Sequence, residues 1–132
     1  TCALPIFELS DSVAKKARAV AEIVREAGLR VPVHAAAAQD LVRARGGGPD
    51  RFDTLVIRGV APLEKLLRWF GPLADSYGRM LAIKGPRWEE ERDAARFGGL
   101  TKRFTIRRIA SWPIQDRDHP SVLLEIRPRP TP

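Results

Sequence analysis

Cysteine is nearly missing from this chain. The single Cys2 excludes an internal disulfide, and with only His34 and His119 beside it, no metal-ligand spacing can be drawn. Long apolar runs are missing as well. None approaches the roughly 20 residues that cross a bilayer, and the first residues carry no basic stretch ahead of an apolar one, as a secretory signal would. These absences predict a cytoplasmic protein with neither membrane anchor nor metal. Acidic residues are outnumbered, 16 against 23 lysines and arginines, for a net charge of +7. That excess favours an anionic partner, because basic side chains that displace condensed counterions supply most of the sequence-independent affinity for nucleic acid. Charge alone does not separate RNA from a membrane surface or a solubility device.

What is present is ordinary for a globular domain. The 132 residues are 44% hydrophobic and 30% charged, enough for one core that buries roughly two-thirds of the unfolded surface. Pro5 to Leu9 reads as a short strand, and Ser10-Asp11-Ser12 offers oxygens to cap the helix that follows. Val13, Ala17, Val20, Val24 and Ala27 recur as one helical stripe that Gly28 ends. A second strand is expected over Val31 to Ala36 and a short helix over Ala38 to Ala44. Gly46-Gly47-Gly48 lacks the preceding strand and following helix of a phosphate-cradling loop. Phe52 to Ile57 is apolar on both faces, as a central parallel strand should be. Pro62 opens a helix with Leu63, Leu66, Leu67, Phe70 and Leu73 on its inner face, and Met80 to Ile83 is the next strand. A helix from Trp88 to about Arg96 and two antiparallel strands, Lys102 to Ile109 and Val122 to Arg127, complete the domain. The domain is expected over residues 1–128, with 129–132 a flexible tail.

Two motifs carry chemistry. Ala82-Ile83-Lys84-Gly85-Pro86-Arg87, closed by Glu89-Glu90-Glu91, delivers a lysine to a strand end, then a turn and a charged helix. Ile57-Arg58-Gly59-Val60-Ala61-Pro62-Leu63 repeats the design with an arginine. Basic groups at the carboxyl edge of an α/β sheet lie where such folds bind ligands, and two of them suggest an anionic substrate.

In this order and spacing the motifs resemble the RsmG (GidB) family of S-adenosylmethionine-dependent methyltransferases, which methylate N7 of a guanosine in bacterial small-subunit (16S) ribosomal RNA. The resemblance runs from about Leu4 to Arg127. It implies a Rossmann-like class I methyltransferase fold, mostly parallel, with an antiparallel C-terminal strand pair. By the same resemblance Asp11 accepts hydrogen bonds from the ribose hydroxyls of S-adenosylmethionine, with Ser12, Lys15, Ala38, Gln39 and Arg58 completing the cofactor site. Arg58, Lys84, Arg87 and Lys16 are its substrate-binding residues, ribosomal RNA is the partner, and the protein is expected to be a monomer. Read without the resemblance, Asp11 is a helix cap, Lys15 and Lys16 are a solvated face, and Arg58 and Lys84 are strand-end ion-pair residues.

The sequence departs from the family at three positions. A family arginine and glutamate stand here as Ala37 and Gln39, and an arginine before the last strand stands as Ser121, with Arg117 or His119 as replacements from the loop. The family's first strand and glycine-rich cofactor loop also precede the segment matching Thr1. Either the chain is a fragment of a longer protein or the sheet has rearranged; a fragment is the favoured expectation, N-terminally truncated, with two strands on one side of an unfilled slot and the rest on the other. Guanine N7 has an in-plane lone pair, so the reaction demands alignment of nucleophile and methyl and no general base. Two alternatives stand beside this reading: a non-catalytic RNA-binding module that has lost its cofactor loop, and a class I methyltransferase acting on another substrate.

Overall fold

A computed structural model of the chain describes residues 6–130. Its elements follow in the order β1 (Leu9–Ser10), α1 (Ala14–Glu26), β2 (Val33–His34), α2 (Ala38–Arg45), β3 (Phe52–Arg58), α3 (Leu63–Phe70), β4 (Tyr77–Lys84), α4 (Trp88–Phe97), β5 (Phe104–Trp112) and β6 (Ser121–Pro128). Short 3-10 turns, Gly71–Ser76 and Leu100–Arg103, precede β4 and β5. The strands form two sheets. β1 and β2 pair in parallel, and the larger sheet has the order β3-β4-β6-β5. β3 and β4 are parallel, while β6 runs antiparallel to both of its neighbours.

The core lies on one face of the larger sheet. Leu63, Leu66, Leu67 and Phe70 of α3 pack with Ala95 of α4 over Met80, Ala82, Leu124 and Ile126, each large side chain contributing about 2 kcal/mol on burial. The i, i+3, i+4, i+7 spacing of the α3 residues puts them on one stripe, which the sheet then covers. Tyr77 is buried beside Phe70, and its hydroxyl donates to the Phe70 carbonyl at 3.1 Å. Strands β3 and β4 approach closely at Gly78, where an added Cβ would stand 2.6 Å from the Asp53 carbonyl oxygen. A larger residue there would force the strands apart.

Several expectations are corrected in detail. Pro5 lies outside the described residues, and the first strand is confined to Leu9–Ser10. Only Ala17 of the α1 stripe is buried; Val13 and Ala27 are exposed. Val56 is 66% exposed, because β3 pairs with β4 alone and is an edge strand of its sheet rather than a central one. Leu73 is buried but belongs to the 3-10 turn that follows α3. β5 extends to Trp112 through an irregularity between Arg108 and Ala110. Pro128 closes β6, and the Arg129 amide donates to the Arg103 carbonyl at 2.7 Å.

β1 and β3 face one another without pairing. A groove of about 190 Å³ lies between them, lined by Leu9 and Ser10 on one side, Thr54 to Ile57 on the other, and Leu41 and Val42 of α2. This is the slot that the sequence predicts. One strut spans it. Glu8, just before β1, accepts from His34 of β2 and from Arg45 at the end of α2, and the Arg45 guanidinium lies 4.2 Å from the centre of the Phe52 ring of β3. Burial raises the Glu8 pKa, but the bonds from Arg45 and His34 outweigh it and leave the carboxyl below its ordinary value.

Candidate active site

A cavity of about 460 Å³ opens at the carboxyl ends of β1 and β3. Its walls bring together six of the residues expected there: Asp11, Ser12, Lys16, Ala38, Gln39 and Arg58. Each arrives on a strand end or a helix start. Asp11 and Ser12 follow β1, Lys16 stands in the first turn of α1, Ala38 and Gln39 open α2, and Arg58 ends β3. Immediately beyond, Gly59 takes φ = +60°, a left-handed conformation that a Cβ disfavours, and this turn sends the chain away toward Pro62 and leaves the Arg58 side chain at the rim.

Asp11 has two roles available at once. Its Oδ1 accepts the Val13 amide hydrogen at 2.8 Å, which fixes the turn into α1, although the N-cap itself, Val13, has no side-chain cap and Asp11 is not the helix cap expected; its second oxygen is available to the cavity. Arg58 and Lys16 are exposed and form no ion pair among the described residues. The far wall is apolar: Ile57, Val60, Leu66, Trp69 and Phe70. Sequence reasoning missed Trp69, which sits on α3 next to the buried Phe70 and remains 37% exposed. Its place on the edge of the α3 stripe, between the inner and outer faces, is the signal that would have marked it.

The remaining expected residues lie elsewhere. Lys15 is exposed outside the cavity lining, and Arg87 is exposed with Glu90 3.9 Å away. Lys84 turns into the protein. Its ammonium donates to the Ala61 carbonyl at 2.6 Å and to Glu91 Oε1 at 3.0 Å, and the same carboxylate oxygen accepts the Leu63 amide at 3.0 Å. Lys84 thus ties the end of β4 to the starts of α3 and α4, and Glu91 satisfies an orphan donor at the α3 N-terminus. Gly85 and Pro86 line a second cavity of about 250 Å³, which the β5-β6 loop closes with Arg117, Asp118, His119 and Ser121. The loop therefore brings Arg117 and His119 beside the glycine-proline turn. His34 is held by Glu8, and among the described residues no group of three potential ligands could hold a metal. Among the described residues no helix is long and apolar enough to cross a membrane.

The lining suits a nucleoside-type cofactor. A carboxylate at a strand end can accept from a ribose diol, the Gln39 amide offers both an acceptor and a donor to a base edge, and the apolar wall can cover a ring.

The architecture is that of the α/β methyltransferases: an rRNA methylase from Streptococcus thermophilus superimposes with a TM-score of 0.59 at 11% identity, over 92% of this chain and 72% of that one. Such distant likeness defines the fold. The sequence defines the family. A family model for rRNA small subunit methyltransferase G matches residues 3–115, and the chain belongs to that family. Its relatives include the ribosomal RNA small subunit methyltransferase G of Rhodopirellula baltica, 41% identical over 80% of this chain and 44% of the relative. That of Mycobacterium avium is 44% identical over 67% of this chain and 35% of the relative. The chain thus spans less than half the length of these relatives.

Proposed function

We propose that this chain carries the cofactor cavity and the substrate edge of an enzyme that methylates guanine N7 in small-subunit ribosomal RNA, with S-adenosylmethionine as methyl donor. The observation that supports it most is the convergence of Asp11, Gln39 and Arg58, the last without an ion pair among the described residues, on one cavity at the carboxyl edge of the strands in a chain of this family. When bound, S-adenosylmethionine supplies a sulfonium methyl that is electrophilic without further activation. Asp11 is the residue to hold the ribose hydroxyls, Gln39 and Ala38 the adenine edge, and Trp69 an apolar wall. Arg58 would hold a phosphate or the guanine O6, leaving N7 turned inward.

No lining residue needs to take a proton, because the attacking nitrogen has none to lose. Histidine is missing from the lining, and Asp11 is its only carboxylate, which suits catalysis by positioning. Arg117 and His119, brought next to Gly85 and Pro86, would extend the substrate edge beyond the cavity. The protein acts in the cytoplasm, where ribosomal RNA is assembled, and is taken as a monomer. The test is transfer of labelled methyl from S-adenosylmethionine to small-subunit RNA by the full-length gene product, with the modified base identified by mass spectrometry. 7-Methylguanosine is expected. Methyl on another atom, or RNA binding with neither transfer nor cofactor binding, would overturn the proposal, the latter in favour of a non-catalytic RNA-binding module.

A further inference from the structure

A second basic site lies at the other end of the larger sheet. Between α4 and the start of β5 is a cleft of about 200 Å³ lined by Arg92, Arg96, Thr101, Thr105 and Arg129, with no carboxylate in its walls. Among the described residues neither Arg96 nor Arg129 forms an ion pair, and Arg92 reaches only Asp93, at 3.4 Å. Two of the three guanidiniums are fixed from behind. Arg129 Nε donates to the Phe104 carbonyl at 3.2 Å, and the Arg92 guanidinium lies 5.0 Å from the centre of the Trp88 ring. Their remaining N–H groups are free to serve a ligand. Lys102 and Arg103, both exposed, continue the basic surface.

Three guanidiniums gathered with Asp93 as the one counter-charge beside them among the described residues repel one another, and a phosphate relieves that repulsion while matching the planar fork of each arginine. Edge strands often carry cations to block pairing with other chains. That explains Arg107 and Arg108 on β5; it does not explain Arg92 and Arg96, which come from a helix, or Arg129, which follows β6. The register separates this cleft from the cofactor cavity. Phe104 pairs with Pro128 beyond the Met80–Ile126 pair, whereas Arg58 pairs with Ile83 near the opposite end of β4. The two points lie five residues apart along the strands and three strand spacings apart across the sheet, so the sites are about 20 Å apart, too far for one phosphate to serve both.

We propose that this cleft binds the phosphodiester backbone of an RNA strand whose target base lies at the Arg58 edge, so that the RNA is held at both ends of the sheet. The inference rests on the reading of the protein as an RNA-modifying enzyme.

The test is filter binding of a short labelled single-stranded RNA to the full-length gene product across a salt series, with Arg96→Ala/Arg129→Ala and Arg58→Ala compared and circular dichroism confirming the fold. The double variant is expected to lose about tenfold in affinity, and its logarithmic salt slope should become shallower by one to two units, at about 0.7 per lost phosphate contact. If loss of the Arg129 bond to Phe104 unfolds β5, Arg96→Ala alone, on an exposed helical position, should still lower the slope by about half as much. A slope unchanged in the folded variants while Arg58→Ala weakens binding overturns this site and leaves the proposed function standing. Failure of the unaltered chain to bind RNA at any salt overturns both. Inorganic phosphate, titrated in a thermal-shift assay, separates the remaining source: a shift lost in the double variant with RNA affinity intact would mean a free-phosphate site and overturn the RNA assignment.

Discussion

The Lys84 ammonium lies 3.0 Å from Glu91 Oε1, with the two side chains only 11% and 23% exposed. The pair is a junction of three elements, since the same oxygen holds the Leu63 amide and the same ammonium holds the Ala61 carbonyl. Lys84→Ala should therefore destabilise the fold by about 2 kcal/mol, the scale of a lost charge-assisted hydrogen bond, and Glu91→Gln by a similar amount. Urea unfolding of both single variants and the double variant measures the coupling. A Lys84→Ala protein with unchanged midpoint but impaired RNA binding would show the ammonium to be a substrate ligand instead.

Asp11 permits a cleaner separation of structure from function. Asp11→Asn keeps an oxygen for the Val13 amide but removes the charge, so α1 should keep its stability while affinity for S-adenosylmethionine falls about tenfold, the scale of one charge-assisted hydrogen bond. Asp11→Ala should lose both, with about 1 kcal/mol of stability gone with the hydrogen bond to the Val13 amide. Calorimetric titration and thermal unfolding of the pair decide this. Equal cofactor affinity in all three proteins would leave Asp11 a residue of the turn into α1 and nothing more.

Glu125 makes stability depend on acid. It is buried on β6 among Arg127, Arg79 and Arg107, and hydrogen bonds, first from Arg127 and then from Arg79, bring its pKa down from 4.5 to about 2. Below 4.5 the unfolded chain takes up this proton and the folded chain does not, so the contribution is complete above 4.5 and is lost as pH falls toward about 2. Glu8, also lowered, acts in the same direction. Denaturation midpoints measured through this window should fall steeply for the natural chain and less steeply for Glu125→Gln. An identical pH profile in the two would show that the arginines exert no net hold on the carboxylate.

Gly78→Ala should cost about 1 to 3 kcal/mol, the range for overpacking a tight site. The added methyl would meet the Asp53 carbonyl oxygen at 2.6 Å as well as the Asp53 side chain at 2.9 Å, and the backbone cannot swing aside as the side chain can. Thermal unfolding reads the loss, and a variant as stable as the natural chain would mean that β3 and β4 can separate freely.

How much of this was legible in the sequence follows from the range of the forces involved. The helix α3 was readable because Leu63, Leu66, Leu67 and Phe70 repeat at helical spacing and Pro62 marks the start; both are local facts, and the structure buries all four side chains. The strand-end placement of Arg58 was readable for the same reason, as the glycine and proline after it leave the chain little choice but to turn. The family was legible too, in the paired basic motifs. The exposure of Val56 was not, because a run of apolar residues says that a strand can be covered on both sides but not whether a neighbour is present to cover it.

The fate of Lys84 and the existence of the Arg92, Arg96 and Arg129 cleft were decided by tertiary structure alone. A lysine at a strand end has the same sequence signature whether its ammonium faces solvent or a carboxylate seven residues on, and only the packing of α4 against α3 brings Glu91 to it. The cleft gathers side chains from α4 and from beyond β6 because β6 runs antiparallel between β4 and β5 and returns Arg129 to the start of β5. Sequence determines local geometry and which residues must be hidden. Which charges then meet depends on pairings between distant strands, and those are fixed only when the whole sheet closes.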